Sequence, residues 1–162
     1  MFGIGFGGGL GGGDESILEF GYAVFYIPRI SRVALAQIMW HRLASFCVRS
    51  QRYTEISRRD FEYLEEKFEG YDGVGDLLRE AWNVYVDLVE RCGVRSEEAR
   101  MVLPQGITTQ MVMGANFREW RHILKLRTHK SAQEEIRELM KEIGEKLMEI
   151  APSVFEDVVQ TG

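Results

Sequence analysis

Only two stretches of this 162-residue chain have the side chains of a β-strand, and they lie far apart. Residues 18–27 (LEFGYAVFYI) and 107–113 (ITTQMVM) concentrate aromatic, branched and long apolar residues, as buried strands do. Nearly every other apolar pattern has the period of a helix. A chain with so little strand can build only a small sheet, so the expected fold is α+β, mostly helical.

The punctuation places the helices. Pro28 is expected to close the first strand, and Ser31 to cap a helix running to about Ala44. Val33, Ala36, Trp40 and Leu43 are the candidates for its apolar face. Residues 45–54 read as irregular or extended. Helices follow over about 60–68 and 75–91, separated by Gly70-Tyr71-Asp72-Gly73 and closed by Gly93. Ser96-Glu97-Glu98 opens a short helix that ends before Pro104. Asn116 is an N-cap for a helix ending near Arg127, in which Phe117, Trp120 and Leu124 face inward. Ser131 starts the last long helix, which Pro152 ends. Its stripe is Ala132, Ile136, Leu139, Met140, Ile143, Leu147 and Ile150, with Glu142 and Lys146 paired on the wet side.

Composition narrows the function classes. A net charge of −5 argues against a general nucleic-acid binder. No stretch has 18 uncharged apolar residues, so no membrane span is expected. Two cysteines, Cys47 and Cys92, make no disulfide framework. The first residues lack the basic cluster of a signal peptide, and a cytoplasmic setting is expected. Residues 1–13 hold eight of the 17 glycines and read as a flexible tail before a single domain over 14–162. The frame Gly3 to Gly8 fits G-x-G-x-x-G, but no strand precedes it, so it is not read as a dinucleotide fingerprint.

Charge is unevenly spread. Residues 29–59 carry seven arginines against one acid, a local charge of +6 in an acidic protein. Such a segment suits a small anion, or a basic face answering acidic helices. Within it, Arg42 and Arg52 offer forked donors to a phosphate or a uracil edge, with Ser50 and Gln51 beside them. Arg118, His122 and Lys125 share a second helical face, which fits a pyrophosphate or a solvated stripe. No residue cluster calls for a metal.

Four ordered blocks resemble one family. Trp40 to Tyr53 (WHRLASFCVRSQRY) resembles the R-H-R-x-x-S-x-x-x-x-S-x-R-Y signature of the flavin-dependent thymidylate synthases, the ThyX family, at every position but the first. Residues 13–20 (GDESILEF) resemble its G-H-E-S-x-x-E-H block, and residues 100–104 (RMVLP) its A-R-x-x-L-P element. Asn116, Arg118, His122, Leu126, Arg127, Ala132, Gln133, Glu135 and Ile136 fall on its N-x-R-x-x-x-H-x-x-x-L-R-x-x-x-x-A-Q-x-E-I block.

The resemblance implies a ThyX-like fold, a homotetramer and a methyltransferase of nucleotide biosynthesis. In such enzymes dUMP becomes dTMP with methylenetetrahydrofolate, and electrons from NADPH are carried by FAD. It assigns dUMP contacts to Gln37, Ser50, Gln51, Arg52, Arg100 and Arg127, with Arg127 also the catalytic group. FAD contacts fall on Ser16, Trp40, His41, Arg42, Asn116, Arg118 and His122. Cys47 is not implied as a nucleophile. Several positions depart from the family pattern: Trp40 replaces an arginine, Asp14 and Phe20 replace histidines, Val48 stands where glutamate is frequent, and the N-terminal segment is short. A non-catalytic paralogue that keeps nucleotide binding or an assembly role, or another flavin-dependent modifier of pyrimidine nucleotides, is the alternative reading.

Overall fold

The computed structural model describes residues 15–54 and 56–159. The glycine tract and Asp14 lie outside the described residues.

Three strands form one antiparallel sheet in the order β1-β3-β2: β1 is Tyr22–Ser31, β2 is Ser45–Val48 and β3 is Thr108–Asn116. The backbone N–H of Phe117 donates to Gly21 O at 2.9 Å and that of Arg32 to Ile107 O at 3.1 Å, so β1 and β3 run in opposite directions. The first strand therefore starts and ends later than its apolar run suggests. Residues 15–19 form a 3-10 turn instead, and Pro28 lies inside β1 rather than closing it. An edge strand tolerates proline because the missing N–H can face away from the ladder.

Seven α-helices complete the described chain: α1 (Arg32–Ile38), α2 (Glu62–Lys67), α3 (Val74–Glu90), α4 (Ser96–Ala99), α5 (Phe117–Arg127), α6 (Glu134–Ile150) and α7 (Pro152–Val159). Ser31 does start α1, its hydroxyl accepting from Ala34 N at 3.0 Å. The helix stops at Ile38, however, well short of Ala44, and buries Ala34, Leu35 and Ile38 rather than the expected face. Trp40 and Leu43 are exposed. Gly93 closes α3 at φ 67°, letting Val94 N reach Leu88 O at 2.8 Å.

The last long helix, α6, begins at Glu134 rather than Ser131 and buries Ile136, Met140, Ile143 and Leu147; Ile150 is exposed. Lys146 pairs with Glu149 at 2.8 Å, not with Glu142. Pro152 ends α6 and also opens α7, where its missing N–H is no loss.

The described residues fall into two compact units. The first is drawn from residues 15–25, 38–46 and 112–159. Its core packs Trp120, Ile123 and Leu124 of α5 with Ile136, Met140 and Leu147 of α6 and Phe155 of α7. The second is drawn from residues 26–37 and 47–111. It has a core of Ile56, Phe61, Leu78, Tyr85, Ala99 and Ile107.

Candidate functional site

In the first unit, α5 carries most of the chemistry. The side-chain oxygen of Asn116 accepts from Glu119 N at 2.8 Å, so the expected cap is in place. The helical period then turns Phe117, Trp120 and Leu124 inward and leaves Arg118, His122 and Lys125 in the wet. The indole of Trp120 anchors the helix by donating to Ala23 O at 3.1 Å. Gly21 is required beside it, because a Cβ there would lie 2.4 Å from the Phe117 ring.

Arg118, His122 and Lys125 line a cleft of about 570 Å³, together with Asn116, Leu43 and the 3-10 turn residues Glu15 and Glu19. Arg118 donates to Glu19 at 2.6 Å and lies 3.7 Å from a Glu15 oxygen. The result is a cationic wall whose arginine is held by two carboxylates.

Deeper lies a buried polar cluster. Arg127 Nε donates to His41 Nε2 at 2.9 Å, and Glu119 Oε1 stands 3.6 Å from His41 Nδ1. The His41 and His122 rings meet edge to face with centroids 6.0 Å apart. Burial, and then the charges of Arg127 and His122, lower the His41 pKa from 6.5 to about 4. His41 is therefore neutral at physiological pH. Its acceptor at Nε2 requires the proton on Nδ1, the side of Glu119. Burial raises the Glu119 pKa, opposed by the charge of His122.

Arg121 is the second buried charge on α5, after Glu119. Its guanidinium donates to Val154 O and to both oxygens of Asp157, at 2.6 and 2.7 Å, while its Nε has no partner. The hydrogen bond from Arg121 holds the Asp157 carboxyl below the usual range.

The second unit holds an arginine cluster. Ser50 Oγ accepts from Arg52 N at 3.1 Å, closing a tight turn after β2. Glu97 gathers three arginines. Its carboxylate pairs with Arg52 at 2.7 Å and Arg95 at 2.8 Å, and its carbonyl accepts from Arg100 Nε at 3.1 Å. Arg49 pairs with Asp60 at 2.5 Å. Arg32 Nη2 donates to Arg49 O at 3.3 Å, and its buried Nε has no partner. Burial first, then the charges of Arg100 and Arg49, push the Arg32 pKa down. Several guanidiniums within mutual reach, one with an orphaned buried donor, make an environment for a compact anion.

The residues assigned to FAD all fall in the first unit, and those assigned to dUMP fall in the second except Arg127. Asn116, Arg118 and His122 share the cleft, and His41 lies against His122. Ser16, Trp40 and Arg42 are exposed and do not line it. Among the dUMP set, Arg52 and Arg100 meet on Glu97, Ser50 is tied to the Arg52 backbone, and Gln37 and Gln51 are half-buried. Arg127 keeps company with His41. Arg32, Arg49, Glu97, Glu119 and Arg121 were not singled out from sequence. The seven-arginine segment signalled Arg32 and Arg49, whereas nothing in the period of α5 marks Glu119 and Arg121 as buried charges.

The small antiparallel sheet and the helical bulk define an α+β protein. The family described as thymidylate synthase complementing protein matches residues 9–153, and the chain belongs to that family. It is 39% identical over 144 residues to the flavin-dependent thymidylate synthase of Thermococcus onnurineus, covering 84% of this chain and 58% of that protein. It is 36% identical over 164 residues to a probable flavin-dependent thymidylate synthase of Mycobacterium phage D29, covering 90% and 68%. The crystal structure of Thymidylate Synthase X from Helicobacter pylori, with FAD and dUMP, superposes with a TM-score of 0.74 at 26% identity, over 89% of this chain and 76% of that one. The chain thus spans less than two thirds of the length of the Thermococcus relative.

Proposed function

We propose that the chain is a flavin-dependent thymidylate synthase. It moves the methylene carbon of methylenetetrahydrofolate to C5 of dUMP and reduces it to the methyl of dTMP, with NADPH supplying the two electrons. The observation that carries this reading is the guanidinium of Arg127 seated on a neutral, buried His41, at the end of the helix whose cationic face lines the cleft.

The donor set fits FAD. Arg118 and Lys125 supply positive charge, and Asn116 and His122 supply polar groups, on one wall of a single cleft, a combination suited to a pyrophosphate and a polar ring edge. When bound, FAD carries the electron pair from NADPH to the carbon being reduced. Ser16, Trp40, His41 and Arg42 complete its contacts in this reading.

Arg52 and Arg100 take the dUMP phosphate, with Gln37, Ser50 and Gln51 orienting the nucleotide. Arg127 faces the uracil. A fixed guanidinium there stabilises negative charge on N3 and O2, which enriches C5 in electrons. No cysteine nucleophile is needed; Cys47 and Cys92 are exposed free thiols, which suit a reducing, cytoplasmic setting.

The test is direct. Purified protein is examined for flavin absorbance, then given dUMP, methylenetetrahydrofolate, NADPH and FAD, and dTMP is measured by chromatography. Formation of dTMP that requires all four supports the proposal. A colourless protein that takes up no FAD and makes no dTMP would overturn it.

A further inference from the structure

Among the described residues, one carboxylate buried in the first unit makes no ion pair with a lysine or arginine. Glu119 is 6% exposed at the edge of the cleft, with its Oε1 3.6 Å from Nδ1 of the His41 imidazole. An apolar residue would fill such a position at lower desolvation cost. Its neighbour explains its presence.

We propose that Glu119 is a positioning residue: acting through the His41 ring, it sets the direction of the Arg127 guanidinium and thereby the grip on a uracil base. The inference rests on the reading of Arg127 given above.

A neutral imidazole has two tautomers, and only one can serve Arg127. With the proton on Nδ1, Nε2 accepts from Arg127 Nε, as observed at 2.9 Å. With the proton on Nε2, two donors face each other and the guanidinium must turn away. Glu119 Oε1, 3.6 Å from Nδ1, favours the first tautomer by attracting the Nδ1 proton. The charged and titratable groups facing His41 are Glu119, His122 and Arg127, all from α5; Arg42, on its own segment, is exposed. The lowered His41 pKa keeps the ring neutral, so tautomer rather than charge is the variable.

The chain has three histidines, which makes ¹⁵N imidazole spectra of the whole protein assignable. Wild-type protein, Glu119→Gln and Glu119→Leu are compared for His41 tautomer and for dUMP affinity by calorimetry. The Nδ1–H form is expected in wild type and in Glu119→Gln, whose amide oxygen still accepts. In Glu119→Leu a mixture is expected, with dUMP binding weakened on the order of tenfold, the size of one lost hydrogen bond. Glu119→Ala, read in the same way, replaces the leucine variant if that protein does not fold. An Nε2–H tautomer in wild type, or an unchanged tautomer in the leucine or alanine variant, overturns the inference. A wild-type protein that binds no dUMP would sink the proposed function instead, while the spectra still decide whether Glu119 orients His41.

Discussion

His41 sits between a guanidinium and a carboxylate with little water around it, and its folded pKa of about 4 lies below the 6.5 of the free side chain. The unfolded chain therefore binds more protons between those values, and stability falls as pH drops from 6.5 toward 4. The slope from this group is at most about 1.4 kcal/mol per pH unit. Glu119, whose pKa is raised, works in the opposite direction above its usual value. Urea denaturation of His41→Asn from pH 7 to 4 is expected to give a flatter acid limb than wild type; an equal slope would place the linkage elsewhere. Arg127→Ala is expected to fold with an unchanged circular dichroism spectrum and lose about two to three orders of magnitude in methylation rate, the usual loss for one charge-stabilising donor. Trp40, 74% exposed, has little packing to lose. Trp40→Arg adds a guanidinium beside His41 and Arg42, and one charge-assisted contact should tighten FAD about ten- to hundredfold in a flavin titration. At this scale the sequence showed residues on the wet face of α5 and in the arginine-rich segment. It did not show Glu119 or Arg121, because a charge is buried only where a distant partner or a ligand receives it, and periodicity carries no such information.

At the scale of elements, local signals served best where local forces dominate. Asn116 as cap, the inward face of α5, the span of α3 and its glycine closure all follow from side-chain hydrogen bonding and helical period. The errors are tertiary. Pro28 could remain in β1 because that strand lies at the sheet edge, a fact about neighbours rather than about proline. The end of α1 at Ile38 reflects the turn at Met39 and Trp40 that seats His41, which a run of apolar residues through Leu43 conceals. Two substitutions test the elements. Ser31→Ala removes the side-chain bond to Ala34 N in the first turn of α1, 3.0 Å long, and should lower stability by about 1 kcal/mol in thermal melts. Asp157→Ala leaves the buried Arg121 with Val154 O alone, and should destabilise by about 1.5–3 kcal/mol. Because the Asp157 carboxyl is held below its usual range, its contribution is present at neutral pH and lost as acid protonates it.

At the scale of the molecule, the small sheet and helical bulk agree with the expected α+β class, and the Helicobacter structure shares that architecture. The division of the chain into two units was not legible. Each unit is assembled from separated segments, and sequence patterns describe only neighbours along the chain. The apolar face of β1 fits the homotetramer that the family resemblance implies: Tyr22, Val24 and Tyr26 alternate outward and are each more than half exposed. A run of large side chains of this kind suits burial against another copy. Light scattering at micromolar concentration is expected to give a mass near four times 18.6 kDa. A monomer would count against the assembly and against a site completed by several copies.

The threading of the two units also bears on how the protein comes into being. All the segments of the second unit, 26–37 and 47–111, have been made once Met111 is synthesised. The first unit then has only its opening pieces, and it waits for the stretch that supplies α5, α6 and α7. Domains tend to fold as units while synthesis proceeds, so the arginine cluster is built first and His41 waits, already made, for the helix that will bring it Glu119 and Arg127.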